Sequence, residues 1–235
     1  MRWARDARRL LDRVAFERDA GARAERIATA CLGLPYVSGP LRGGPEEEEQ
    51  LVVDLRAFDC VTFVESVLAL ARSRSVEGFL REIRQTRYRD GCVDWSRRLH
   101  YFSDWMRSNE HRGALRIRTR GRGSRSIEAR LAFIEALPAH RVRFHVVPKS
   151  ALQLARPRIS AGSVIAFASL RSKLDFFHTG LLRIDRADGR GAEGLTLVHA
   201  SRSAGEVRAE PLDAFLKRNR MRGIAFASLL DGGGR

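Results

Sequence analysis

Phe58-Asp59-Cys60-Val61-Thr62-Phe63-Val64-Glu65-Ser66-Val67-Leu68-Ala69-Leu70-Ala71 is the stretch that decides how this chain is read. Its apolar side chains fall at Cys60, Phe63, Val64, Val67, Leu68 and Ala71, the i, i+3, i+4, i+7, i+8, i+11 series of one helical face. Asp59 stands where an N-cap belongs. A carboxylate there accepts a first-turn N–H, which makes Cys60 the first helical residue. A thiol in that position meets unpaired N–H groups and the positive end of the helix dipole, which favour the thiolate. The same N–H groups can hold the oxyanion formed when sulfur attacks an amide carbonyl. A small core cysteine opening a buried helix has the same sequence, so Cys60 needs partners before it is read as a nucleophile. Cys31 ends a helix and Cys92 follows the Asp90-Gly91 turn; both read as structural.

Towards the N-terminus, Trp3, Ala7, Leu10, Leu11 and Val14 recur at helical spacing with arginines on the other faces, and a second helix is predicted over residues 22–32. Gly33-Leu34-Pro35-Tyr36 ends it. Residues 38–50 collect Gly, Pro and the run Glu46 to Glu49, which predicts a solvated surface loop. Towards the C-terminus, helices are predicted over 75–85 and 101–109. Beyond Arg130 the period changes: Val142, Phe144 and Val146 alternate with Arg141, Arg143 and His145 until Pro148. Further strands read at 163–168, 177–184, 195–200 and 223–229. Helices early and strands late predict an α+β fold with an antiparallel sheet. Gly189 to Gly194 fits a dinucleotide glycine pattern, but a strand follows it rather than a helix, so a hairpin turn is expected and no nucleotide. Gly232 to Gly234 read as a frayed tail.

A catalytic cysteine needs a base, and the base needs a third group to orient it. His178 stands in Phe177-His178-Thr179-Gly180 and His199 in Val198-His199-Ala200, on sequential strands joined by one hairpin. Both imidazoles can point to one face.

Composition bounds the rest. Hydrophobic residues at 44%, charged residues at 30% and a length of 235 exclude a chain that is mainly disordered. The net charge is +15, and 40 of the 43 basic residues are Arg, spread along the whole chain. That charge raises a nucleic-acid-binding reading, in which Cys60 is merely buried. Scattered charge speaks to non-specific association rather than to a site, so no nucleic-acid partner is expected. Residues 111–127 concentrate Arg112, Arg116, Arg118, Arg120, Arg122 and Arg125 without an acidic residue, as a solvated loop or exposed strand, or as a clamp for a carboxylate or phosphate. No apolar run approaches the ~20 residues of a membrane span. Residues 1–30 lack the apolar stretch of a secretory signal, so the chain as written is expected in the cytoplasm, and in the periplasm or outside if its precursor was processed or truncated. Three widely spaced cysteines predict neither disulfide nor metal site.

Taken together, Phe58-Asp59-Cys60-Val61-Thr62-Phe63-Val64-Glu65, Phe177-His178-Thr179-Gly180 and Val198-His199-Ala200-Ser201, in this order, resemble the NlpC-type papain-like superfamily of bacterial cell-wall cysteine amidases and peptidases. Gly33-x-Pro35-Tyr36 and Arg98-Leu99-His100-Tyr101-Phe102-x-x-Trp105 sharpen the likeness to its N-acetylmuramoyl-L-alanine amidase-like branch, over about residues 32–228. The resemblance implies a papain-like fold and a hydrolase with Cys60 as nucleophile, His178 as general base and acid, and His199 as the residue orienting it. It assigns Tyr36, Asp59, Thr62, Arg98, His100, Tyr101 and Trp105 to substrate binding and requires no cofactor. The implied substrate is a peptidoglycan fragment, a muropeptide, cut between muramic acid and L-alanine through a thioester. A peptidase cutting within the stem peptide is the alternative. One catalytic domain over 1–235 is expected, with N-terminal helices in 1–33, an inserted helical, substrate-binding lobe in 73–130 and the histidine-bearing sheet in 131–230. The oligomeric state is left open.

Overall fold

The computed structural model describes residues 2–185 and 194–232. Helices come first: α1 (Arg2–Asp12), α2 (Ala20–Ala30), α3 (Cys60–Ala71), α4 (Val76–Arg87) and α5 (Phe102–His111). Then follow β1 (Leu115–Ile117), β2 (Arg125–Leu131), β3 (His140–Val146), the short α6 (Leu152–Ala155), β4 (Val164–Ala168), β5 (Phe176–Asp185) and β6 (Gly194–Ser201). The chain closes with β7 (Glu206–Pro211), α7 (Leu212–Arg218) and β8 (Ile224–Leu229). One six-stranded sheet runs β1-β8-β4-β5-β6-β7 with antiparallel neighbours, while β2 and β3 pair apart.

The deciding helix is more enclosed than an amphipathic stripe requires. Every residue of α3 from Thr62 to Ala71 is buried, because α1, α2 and α4 pack around it and the sheet covers its remaining side. An almost uniformly apolar sequence suits such a site. Glu65 is the exception, and it forms a 2.8 Å ion pair with Arg87 of α4, each side chain only 2% exposed. Arg87 also donates to the Val52 carbonyl. Arg87→Met leaves Glu65 buried without its partner and is expected to cost about 3–5 kcal/mol in urea unfolding. The double change with Glu65→Leu should recover much of that loss. A single variant as stable as the wild type would show the pair to be dispensable.

The sheet is covered on both faces. Val164, Ala166, Leu181, Val198, Ala225 and Ala227 join α3 in one core; Ile165, Phe167, Leu182, Leu197, Ile224 and Phe226 meet Leu212, Phe215 and Leu216 of α7 in the other. β4 is buried at all five positions, as a central strand between two covered faces must be.

Several expectations are corrected. Glu49 is not solvated with the rest of its run. It folds in to accept from the Tyr88 hydroxyl at 2.6 Å and from the Arg98 guanidinium, pinning the loop to the helical lobe. Of the two plain readings of residues 111–127, strand applies at both ends: β1 joins the main sheet beside β8, and β2, which begins at Arg125, pairs with β3. β7 and α7 were not read from the sequence. Gly232 is not frayed away, since the Leu230 and Asp231 carbonyls before it accept from Arg72. The turn expected at 188–194 falls, apart from Gly194, outside the described residues, as do 233 and 234. Among the described residues, no helix is long and apolar enough to cross a membrane.

Candidate active site

The site begins with the cap of α3. Asp59 Oδ1 accepts from the Val61 and Thr62 N–H groups at 3.1 and 2.7 Å, and the Asp59 N–H donates to Thr62 Oγ1 at 3.0 Å. This reciprocal capping box fixes where the helix starts, and so where the Cys60 sulfur stands. Asp59 and Thr62, assigned above to substrate, are occupied in building it. The Cys60 N–H has no carbonyl partner among the described residues and stands at the helix mouth beside its own thiol.

Across from it stands β5. The backbone of Thr179, the residue after His178, lies beside the Cys60 thiol and favours its ionised form. Burial and the neighbouring Asp59 carboxylate still push that thiol up to about 12, against the opposing pull of the backbone N–H groups. His178 projects to the α7 face, its ring roughly parallel to those of Phe167 and Phe215 at centroid distances of 6.0 and 5.6 Å. That burial, with His199 beside it, pushes the imidazole down to about 3. The resting pair is therefore neutral thiol and neutral imidazole.

Behind His178 lies a chain of hydrogen bonds. His178 Nε2 and His199 Nδ1 are 2.6 Å apart, His199 Nε2 and Glu210 Oε1 are 3.0 Å apart, and Glu210 Oε2 accepts from Arg218 at 2.6 Å. The close approach of β6 to β5 requires Gly180, where a Cβ would lie 2.8 Å from Leu197 and from the Val198 carbonyl, and 2.9 Å from the His199 Cβ. Burial works against the Glu210 carboxylate, but the bonds from Arg218 and His199 hold its pKa below the ordinary value. Burial also lowers His199 despite Glu210, keeping it neutral.

These charges dictate where the protons sit. An ionised Glu210 only accepts, so His199 carries its proton on Nε2 and presents a bare Nδ1. His178 must then donate from Nε2, which leaves its Nδ1 unprotonated and available as a base. Glu210, Arg218 and Phe215 were missed in the sequence. The signal was the alternation Glu206-Val207-Arg208-Ala209-Glu210, a strand pattern ending at Pro211.

Tyr36 is held beside this cluster, since the Phe58 N–H donates to the Pro35 carbonyl and the Val37 N–H to the Phe58 carbonyl. Burial and then the nearby Cys60 raise its phenol. The 98–105 motif is used differently. Arg98 grips Glu49 and the Arg42 and Gly43 carbonyls, and His100 Nε2 lies 2.7 Å from the Trp95 carbonyl. Tyr101 is buried with Leu131 and Val142, its hydroxyl accepting from the Ile134 N–H. Trp105 is fully buried and stacked on Phe102, so the structure places it in the core rather than against a ligand. Among the described residues no group of three His, Cys, Asp or Glu side chains is arranged to hold a metal.

The family model described as AmiA-like, N-acetylmuramoyl-L-alanine amidase-like, matches residues 26–224. The chain belongs to that family. Two crystal structures of an N-acetylmuramoyl-L-alanine amidase from Bacteroides uniformis superpose with TM-scores of 0.76 and 0.77 at 26% identity, covering 89% and 90% of this chain and 98% and 99% of theirs. A Legionella pneumophila protein shares the fold at a TM-score of 0.82 and 21% identity, over 97% of this chain and 94% of its own. No curated protein matches. Like its AmiA-like relatives, the chain is a cysteine hydrolase on an α+β, papain-like scaffold.

Proposed function

We propose that this protein hydrolyses the amide between the lactyl group of N-acetylmuramic acid and L-alanine in peptidoglycan fragments. The observation that carries this reading is the continuous relay from His178 through His199 to the ionised Glu210, on the strand whose next residue, Thr179, has its backbone beside the Cys60 thiol. The bond follows from the family and from the Bacteroides uniformis amidase.

With a neutral resting pair, the proton moves as the bond forms. His178 Nδ1 takes the thiol proton while sulfur attacks the lactyl carbonyl carbon. The oxyanion so created meets the Cys60 N–H at the mouth of α3. His199, held by Glu210, stabilises the imidazolium. When the carbon–nitrogen bond breaks, His178 returns its proton to the departing alanine amine and a thioester remains. Water then attacks the thioester with His178 again as base, releasing the lactyl carboxylate and restoring the thiol. Tyr36, beside the sulfur, lines the substrate side of this centre, and His100 sits at the edge of the helical lobe.

Incubation with muropeptides, read by mass spectrometry, tests the bond. Free stem peptide beginning with L-alanine is the expected product. Shorter peptides would instead mean a peptidase acting within the stem, and an unchanged mixture would overturn the substrate class.

A further inference from the structure

The arginine-rich segment that the catalytic centre does not use forms the β2–β3 hairpin. Its register puts Ile127, Ala129 and Leu131 opposite Phe144, Val142 and His140 on one face, and Ser126, Glu128 and Arg130 opposite His145, Arg143 and Arg141 on the other. The first face packs inward through Ile127, Leu131 and Val142. On the second, Arg143 is neutralised by Glu128. Arg130 and Arg141 face each other directly across the strands, and among the described residues neither side chain has a carboxylate or a hydrogen-bond partner. Like charges directly opposed on a sheet destabilise it, so this pair weakens its own hairpin while unliganded. A shallow depression of about 490 Å³ is lined by Arg130, Arg141 and the Arg143–Glu128 pair.

The hairpin sits at the catalytic end of the sheet. Phe144 packs on Phe176 at 4.9 Å, two residues before His178, and Val147 bridges to Ile224 at the start of β8. At its far end the Ala132 N–H donates to the carbonyl of Lys173, in the loop that feeds β5. Lys173 takes a left-handed φ of 68° there, an unusual conformation for a non-glycine residue. Arg141 is three residues from Phe144, about 10 Å along a strand. The arginine pair leaves the hairpin on the face opposite Phe144, at the end of the molecule where β5 begins.

We propose that Arg130 and Arg141 form a clamp for a carboxylate of the substrate's stem peptide, distal to the amide that Cys60 attacks. Two guanidiniums side by side match the two oxygens of one carboxylate, and binding relieves their mutual repulsion. This rests on the amidase reading above.

The test compares the wild type with the Arg130→Gln/Arg141→Gln double variant on muropeptides whose stem carboxylates are free or amidated. In the wild type, amidation should raise KM about tenfold. In the double variant KM for the free acid should rise by a similar factor with kcat kept, and the ratio of kcat/KM between free and amidated substrates should fall towards one. Its melting temperature should stay level or rise, because a like-charge contact is gone; a merely structural pair would lower it. A wild type indifferent to amidation, or a double variant that still discriminates, overturns the clamp and leaves the amidase reading standing. If no muropeptide is cut, that reading fails, and titration calorimetry with the free stem tripeptide still decides the clamp. Wild-type heat that vanishes in the double variant supports it, and equal heats overturn it.

Discussion

Cys60→Ala is expected to lower amide hydrolysis by roughly 10⁵-fold or more while the protein stays folded. The sulfur is the atom that bonds to the carbonyl carbon, and neither Asp59 nor Thr62 can replace it, because both are locked into the cap of α3. Removing one half-buried sulfur leaves that cap intact, so thermal unfolding should change little. A variant retaining more than a few per cent of wild-type turnover would exclude Cys60 as the nucleophile. The wild-type thiol should also show its burial. With its pKa pushed up to about 12, the thiolate is scarce at neutral pH. Iodoacetamide labelling of Cys60 in the free enzyme, followed on its own peptide apart from the exposed Cys92, should rise about tenfold per pH unit from 7 to 10. A rate independent of pH over that range would mean a preformed thiolate–imidazolium pair.

Glu210→Gln is expected to reduce kcat by about 10²–10⁴-fold with KM little changed. The substitution keeps the shape of the side chain but turns a pure acceptor into a group that can also donate. His199 is then free to carry its proton on Nδ1, pointing it at His178 Nε2. His178 must answer by moving its own proton to Nδ1, and the nitrogen needed as a base is lost. Arg218→Gln should cost much less, because Arg218 is over half exposed and acts only through Glu210. The pH dependence follows the same logic: Glu210 is held below its ordinary pKa, so the relay stays intact above that value and fails as pH falls through the lowered one. An unchanged kcat in Glu210→Gln would show that the His199–Glu210 contact does not set the tautomer.

The three groups proposed to react were legible because each announces itself locally. Cys60 follows a capping aspartate at the head of a periodic helix, and His178 and His199 interrupt apolar strands in neighbouring segments. The pattern also exposed α1, α3, α4, α5 and most of the main sheet. Glu210 was harder. It lies in an edge strand whose charged residues mask a two-residue period, and its partner His199 is eleven positions away. Arg98 and Trp105 show the opposite difficulty, because a motif marks that residues matter without saying what they touch. Arg98 organises the loop carrying Glu49, and Trp105 fills the core beneath it.

By itself the sequence determined the elements, the start of α3 and the chemistry available at its mouth, since periodicity and capping depend on residues within a turn or two of each other. Only the tertiary structure decided which acid completes the relay, which arginines are paired and which stand unpaired, and that thiol and imidazole rest neutral. Those properties depend on register between strands and on how deeply each group is withdrawn from water, and both arise only when distant segments pack together.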